Sequence, residues 1–202
     1  MKAKQIPAMG RPQDEGLTHR ILEATVELVL EGGYAGLNME AVARLAGCGR
    51  PAIYRRFSGK DELVAAAAAT VLRLGPLPDH GNLEDDLLDH VLFNRDHQNQ
   101  PRLIREGIIR GLPAIFEPGV FTLLWDTLLS KRRDQGVEII ERGIHRSEID
   151  ARVDPDVVLD LLAGLTLYRQ SIKRIDVPQE QYRTAIQALI AHPPLKVTAA
   201  AT

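Results

Sequence analysis

The chain has 202 residues, 45% of them hydrophobic and 26% charged, and a formal net charge of -2. That length suffices for a small domain plus a larger one whose cores need no covalent staples, and the single cysteine, Cys48, excludes a disulfide framework and every metal motif built on paired thiolates. The longest apolar stretch, Leu63 to Leu72, is mostly alanine and too short to span a bilayer, and no secretion signal is recognisable, so the expectation is a cytoplasmic protein with no cofactor, metal or membrane partner.

Leu17, Ile21, Ala24 and Leu28 recur at helical spacing, and Leu22 and Val29 widen the stripe. With Gly32-Gly33 as a stop, this predicts a first helix over about 17–31. Asn38 caps a second, short helix bearing Val42, Ala43 and Ala46 and ending at Gly47, and a third runs from about Arg50 to Phe57. Ser58, with Asp61 three residues on, resembles a capping box and opens a fourth helix through Leu63 and the alanine run to Leu74.

Gly75-Pro76-Leu77-Pro78-Asp79-His80-Gly81 cannot continue a helix and marks a domain junction. Past it, Asn82 precedes a stripe of Leu83, Leu87, Leu88, Val91 and Leu92, and Ile104, Ile108, Leu112 and Ile115 follow Pro101. A longer helix is expected over about 120–146. Asp154-Pro155 opens one bearing Val158, Leu161, Leu162, Leu165 and Tyr168, and Pro178 opens a last one bearing Tyr182, Ala185, Ile186, Leu189 and Ile190. No strand pattern competes, and the tail from Pro193 to Thr202 is too thin in apolar residues to order. The expected fold is all-α, with residues 1–75 as one domain behind an arm at 1–16, and 76–202 as the other.

The small net charge hides an uneven distribution. Residues 41–60 hold Arg44, Arg50, Arg55, Arg56 and Lys60 without one Asp or Glu, whereas residues 79–96 hold six acidic residues and one arginine. The basic end is suited to phosphates. The same stretch, from Val42 to Phe57, has the three fixed points of a helix-turn-helix. Ala43 is small where the next helix crosses, Gly47 can take the left-handed conformation of the turn, and Ile53 plugs the space between the helices.

Gly49 is a permissible cap, and Pro51 falls in the first turn, where its missing donor is harmless. With Ile53 and Phe57 inward, the third helix presents Arg50, Pro51, Tyr54 and Arg55, with Ala52 and Arg56 at the margins. An arginine there can reach guanine O6 and N7 in a major groove, and Pro51 or Ala52 can touch a thymine methyl. Arg44 and Lys60 are placed for backbone phosphates, and Asn38 completes the expected DNA-binding set.

These residues resemble the tetracycline-repressor (TetR) family. The resemblance rests on Gly33-Tyr34, Val42-Ala43 with Ala46-Gly47, the run Ile53 to Phe57, and Ser58-Gly59-Lys60-Asp61-Glu62-Leu63, over roughly residues 17–75. It implies a three-helix DNA-binding domain followed by a larger helical ligand-binding and dimerisation domain. Two positions depart from the family pattern: Gly49 stands where serine is frequent, and Pro51-Ala52 where more polar residues are usual, so polar readout leans on Arg50, Tyr54 and Arg55. Gly10-Arg11-Pro12 resembles the short basic arms that some members lay into a minor groove, the plainer reading being a frayed terminus.

The implied function is a repressor that binds a near-palindromic operator in double-stranded DNA as a homodimer and is released by a small-molecule effector. For the effector pocket the resemblance singles out Phe93, Phe116, Phe121 and Trp125, with His97, Arg102 and Arg105 as polar partners; simple core filling is the alternative for each aromatic. The last two helices are expected to pair with their symmetry mates as a four-helix bundle through Val158, Leu161, Leu162, Leu165, Tyr168, Tyr182, Ile186 and Leu189, with small Ala163 and Gly164 permitting close approach; the alternative is that both stripes close the protomer's own core.

Other chemistries fit less well. Gly47 to Ala52 matches the dinucleotide fingerprint G-x-G-x-x-A but follows a helix, not a strand. None of Ser58, Ser130, Ser147 and Ser171 lies in a nucleophile elbow, and the six histidines are scattered, so no enzyme is expected. An architectural DNA-binding protein would need no large second domain with acidic character.

Overall fold

The computed structural model describes residues 15–96, 113–173, 175 and 177–197. Nine helices are assigned among them. They are α1 (Glu15–Gly36), α2 (Met39–Leu45), α3 (Arg50–Tyr54), α4 (Lys60–Val71), α5 (Leu83–Asp96), α6 (Pro118–Leu124), α7 (Ser130–His145), α8 (Pro155–Leu167) and α9 (Gln179–Ala191). A π-helical turn, Trp125–Leu129, joins α6 to α7, and another, Tyr168–Ile172, extends α8. Among the described residues the one β feature is an isolated bridge between Val153 and Leu195.

Where the sequence holds a specific cap, the helix starts there. The Asn38 side chain accepts from the Ala41 N–H at 2.8 Å, that of Asn82 from Asp85 at 2.9 Å, and that of Asp154 from Asp156 and Val157 at 3.0 and 3.3 Å. At the fourth helix the expected pair is corrected. Gly59 is the cap residue, and Glu62, not Asp61, reaches back to the Ser58 N–H at 2.6 Å. Asp61 instead accepts a hydrogen bond from the Tyr34 hydroxyl.

The Gly32-Gly33 stop is realised as a kink at Gly33 (φ 67°, ψ -176°), after which a short helical stretch runs to Gly36. The third helix is shorter than expected and unwinds after Tyr54 into a turn. Part of the tail expected to fray is tied down: Asp154 N–H donates to the Pro194 carbonyl at 2.8 Å and Lys196 N–H to that of Arg152 at 2.9 Å. Backbone pairing compensates there for the lack of apolar side chains. Gly10-Arg11-Pro12, Ile104, Ile108 and Leu112 lie outside the described residues.

The buried side chains form two clusters. The first gathers Ile21, Val42, Ile53 and Leu63 from α1 to α4 and also takes in Val120 and Leu124 of α6. The second gathers Leu87, Ile139, Val158, Tyr182 and Ile186 from α5, α7, α8 and α9. Within it α7 is packed closely at two points: a Cβ at Gly136 would lie 2.6 Å from Leu159 Cδ2, and one at Gly143 would lie 2.8 Å from Leu83 Cδ2.

The non-helical junction is held by α7. Gln135 Nε2 donates to the Gly75 carbonyl at 3.0 Å, and the Arg142 guanidinium donates to the Pro78 carbonyl and pairs with Asp79 at 3.5 Å. Asp86, fully buried, accepts the His80 N–H at 2.6 Å and faces Arg146 at 3.4 Å and Arg142 at 3.8 Å. The acidic stretch is thus in part an internal counter-charge to α7, not wholly a solvated face.

Candidate DNA-binding surface and ligand domain

The turn between α2 and α3 follows from one residue. Gly47 has φ +66°, with no heavy atom within 4 Å of the position a Cβ would take, so the requirement is backbone conformation and not space. That turn lets Cys48 N–H donate to the Ala43 carbonyl at 2.9 Å and sends the chain through extended Gly49 into α3 with Pro51 in its first turn. Ile53 is fully buried and Phe57 nearly so, and Ala43 and Ala46 are buried beside them. The outward face of α3 carries exposed Arg50, Pro51, Tyr54 and Arg55, with Ala52 half-buried at the edge.

Arg44 is exposed on the last turn of α2, and Asn38 is exposed with its side chain occupied as the α2 cap. Lys60 sits in the first turn of α4 with Nζ 4.2 Å from the centre of the Tyr34 ring. Arg56 does something else. Its Nε donates to Thr18 Oγ1 at 2.9 Å and its Nη1 to the Ala52 carbonyl at 2.8 Å, so it fastens α3 to α1.

Two further fasteners escaped the sequence reading. Arg20 Nε donates to the Ala46 carbonyl at 3.4 Å, holding the end of α2 against α1. Tyr34, just past the kink at Gly33, donates to Asp61, and the carboxylate it faces pushes the phenol pKa up to about 12. The signal was present, since Gly33-Tyr34 and Ser58 to Leu63 are both family segments, but only the fold reveals that they meet.

The expected pocket aromatics do not converge. Phe121 and Trp125 are 5.9 Å apart between ring centres, and both are partly exposed, as is Phe116. Phe93 lies apart from them in a cleft with Gly75, Pro76, His90, Arg132 and Gln135. His97, Arg102 and Arg105 lie outside the described residues. A separate apolar cavity of about 60 Å³ lies between α1, α4 and Ala114-Ile115, where Ala67 and Ala68 are too short to fill the gap to Val26 and Val29. Among the described residues no cluster of His, Cys, Asp or Glu is arranged to hold a metal ion, and no helix is long and apolar enough to cross a membrane.

The residues expected at a dimer interface divide into two groups. Val158, Leu162, Tyr182 and Ile186 are buried within the protomer's own second cluster, which corrects their assignment: a side chain already shielded has no surface to give a partner. Leu165 and Leu189 pack partly against the same cluster. Leu161 and Tyr168 remain half exposed, beside exposed Val157, Leu167, Ile172, Ala163 and Gly164.

Residues 21–67 match the family model described as bacterial regulatory proteins of the tetR family, and residues 77–189 match the tetracyclin repressor-like C-terminal domain. The HTH-type transcriptional regulator Mb1581 of Mycobacterium bovis is 30% identical over 84% of this chain and 82% of its own length. A DNA-binding transcriptional repressor, TetR, of Mycobacteroides abscessus is 25% identical over 75% of this chain and 80% of its own. In fold the chain is similar to the transcriptional regulator FadR from Bacillus subtilis, solved in complex with stearoyl-CoA, with a TM-score of 0.65, 14% identity, and coverage of 86% of this chain and 97% of that one.

Proposed function

The chain belongs to the TetR family of transcriptional regulators, DNA-binding proteins and not enzymes, and on that premise we propose that it is a ligand-released repressor that grips a near-palindromic operator as a homodimer. The observation that carries the reading is the outward face of α3, where Arg50, Pro51, Tyr54 and Arg55 are exposed while Ile53 and Phe57 anchor the helix from behind. Arg50 and Arg55 read base edges, Tyr54 meets phosphate or base, Pro51 and Ala52 meet thymine methyls, and Arg44 and Lys60 hold phosphates.

A five-residue helix touches too few bases for useful specificity, so a second copy, one helical turn away at roughly 34–36 Å, is needed. The exposed apolar face of α8 and its π turn, centred on Leu161 and Tyr168, supplies the symmetric contact. The DNA-binding domain is assigned to residues 1–75 and the effector and dimerisation domain to 76–202. An effector releases DNA only by binding the arrangement unable to span two half-sites more tightly than the one that can. The relative named a repressor and the fold neighbour solved with stearoyl-CoA support this reading.

Selection of bound sequences from random duplexes with the purified protein tests it. Enriched inverted repeats with half-sites about 10 base pairs apart are expected. Enrichment of single half-sites, or of none, overturns the dimeric readout.

A further inference from the structure

The cleft at Phe93 contains a group the DNA-binding reading leaves unused. Arg132, on the first turn of α7, is largely shielded from solvent, and its hydrogen bond to the His90 carbonyl is a long one, 3.4 Å from Nη2. Among the residues whose side chains are described no carboxylate lies within ion-pair distance of it, while its neighbour on the same helix, Arg133, pairs with Asp156 at 2.7 Å and Asp160 at 2.9 Å. Burial pulls the Arg132 guanidinium down to about 10, and burial, followed by the Arg132 charge, pulls His90 down to about 4. His90 is therefore neutral at physiological pH, and the cleft carries one positive charge. A largely shielded cation with no counter-ion among the described side chains is costly and is satisfied by an anion that enters from outside.

The surroundings specify the rest of such an anion. The Phe93 ring is pressed against Gly75, where a Cβ would lie 2.6 Å from it, and Pro76 continues that apolar wall. Gln135 reaches the cleft while its Nε2 holds the Gly75 carbonyl, so the side chain that lines the site also grips the segment leading back through α4 to the DNA-binding unit.

We propose that this cleft seats the head group of the effector and that the effector is an organic monocarboxylic acid, its carboxylate paired with Arg132 and its apolar body lying along Phe93 and Pro76. The assignment rests on the ligand-released reading above. A planar carboxylate matches the two parallel donors of a guanidinium, and one net charge in the cleft favours a monoanion over a phosphate dianion. Entry of the acid beside Gln135 competes with the Gly75 contact and so reaches the junction directly.

The test uses the full chain in two measurements. In the first, denaturation midpoints are compared without ligand. R132M should have the higher midpoint, because an unpaired buried charge has been removed. A lower midpoint means that the guanidinium is already paired within the chain and overturns the proposal. In the second, butyrate, octanoate, benzoate and phenylacetate are titrated by calorimetry against the wild type, R132Q and R132K, each beside its neutral amide, with octyl phosphate as the phosphate arm. At least one acid should bind the wild type tenfold or more tightly than its amide, lose that preference in R132Q, keep part of it in R132K, and release the selected operator duplex.

No acid preferred over its amide, a preference that survives in R132Q, binding that leaves DNA affinity unchanged, or octyl phosphate bound more tightly than octanoate each overturns the proposal. If a neutral apolar compound releases DNA while no acid is preferred, the carboxylate assignment falls and the ligand-released repressor stands.

Discussion

Adjacent arginines on the recognition segment should fail in opposite ways. Arg56→Ala removes two hydrogen bonds from a charged, half-buried donor set, one to Thr18 across the α1–α3 contact and one to the Ala52 carbonyl. Such bonds contribute about 1–2 kcal/mol together when partly solvated. For a chain of this size the melting temperature should fall by about 3–6 °C. Arg55 is exposed, so Arg55→Ala should leave stability within about 0.5 kcal/mol. It should instead cost about 1–3 kcal/mol of discrimination at one base position.

Urea denaturation reads the first quantity, and fluorescence anisotropy with matched and single-substituted duplexes reads the second. A Thr18→Val, Arg56→Ala double-mutant cycle should return a coupling of about 0.5–1 kcal/mol. The reasoning is refuted if Arg55→Ala destabilises as much as Arg56→Ala, or if Arg56→Ala alters base preference at full stability.

The remaining predictions concern the core, the turn and the interface. His90 has a folded-state pKa of about 4 against 6.5 when unfolded, so its contribution is fully present above about pH 6.5 and is lost as pH falls toward 4. The loss should reach about 3 kcal/mol by urea midpoints across that window, and His90→Leu should flatten it. Gly47→Ala should cost about 1–2 kcal/mol by strain alone, with Gly47→Asn costing less, as read by thermal melts. Leu161→Arg should give a folded monomer by sedimentation, whereas Ile186→Arg should unfold the chain, since it buries an unpaired charge in the protomer core; a dimeric Leu161→Arg protein places the interface elsewhere.

What could be read from the sequence was what local chemistry decides. Asn38, Asn82 and Asp154 cap their helices because each side chain bonds a backbone N–H two or three residues on, and Gly47 turns because no other residue adopts that φ as freely. The outward residues of α3 followed from helical period and two apolar anchors. What was missed depends on contacts distant in the chain. Ile186 and Leu161 look alike in an apolar stripe, and only packing within the second cluster assigns one to the protomer core and leaves the other exposed. Arg56 and Arg55 are indistinguishable by composition, and Thr18, thirty-eight positions away, separates them. The π turn at Trp125–Leu129 carries no residue signal that periodicity detects.

The glycines on α7 have a mechanical consequence. Gly136 and Gly143 lie two turns apart on one face, and each leaves a notch filled by a leucine, Leu159 from α8 and Leu83 from α5. Two keyed notches oppose both rotation of the helix about its axis and sliding along it, because either motion drives a leucine methyl into backbone. The block of α5, α7 and α8 then moves as a solid piece, and bending is left to the places where helical regularity is interrupted: the π turn below α7 and the break at Gly33. A disturbance at one end of that block would be felt at the other as displacement of the whole piece, with little of it absorbed on the way.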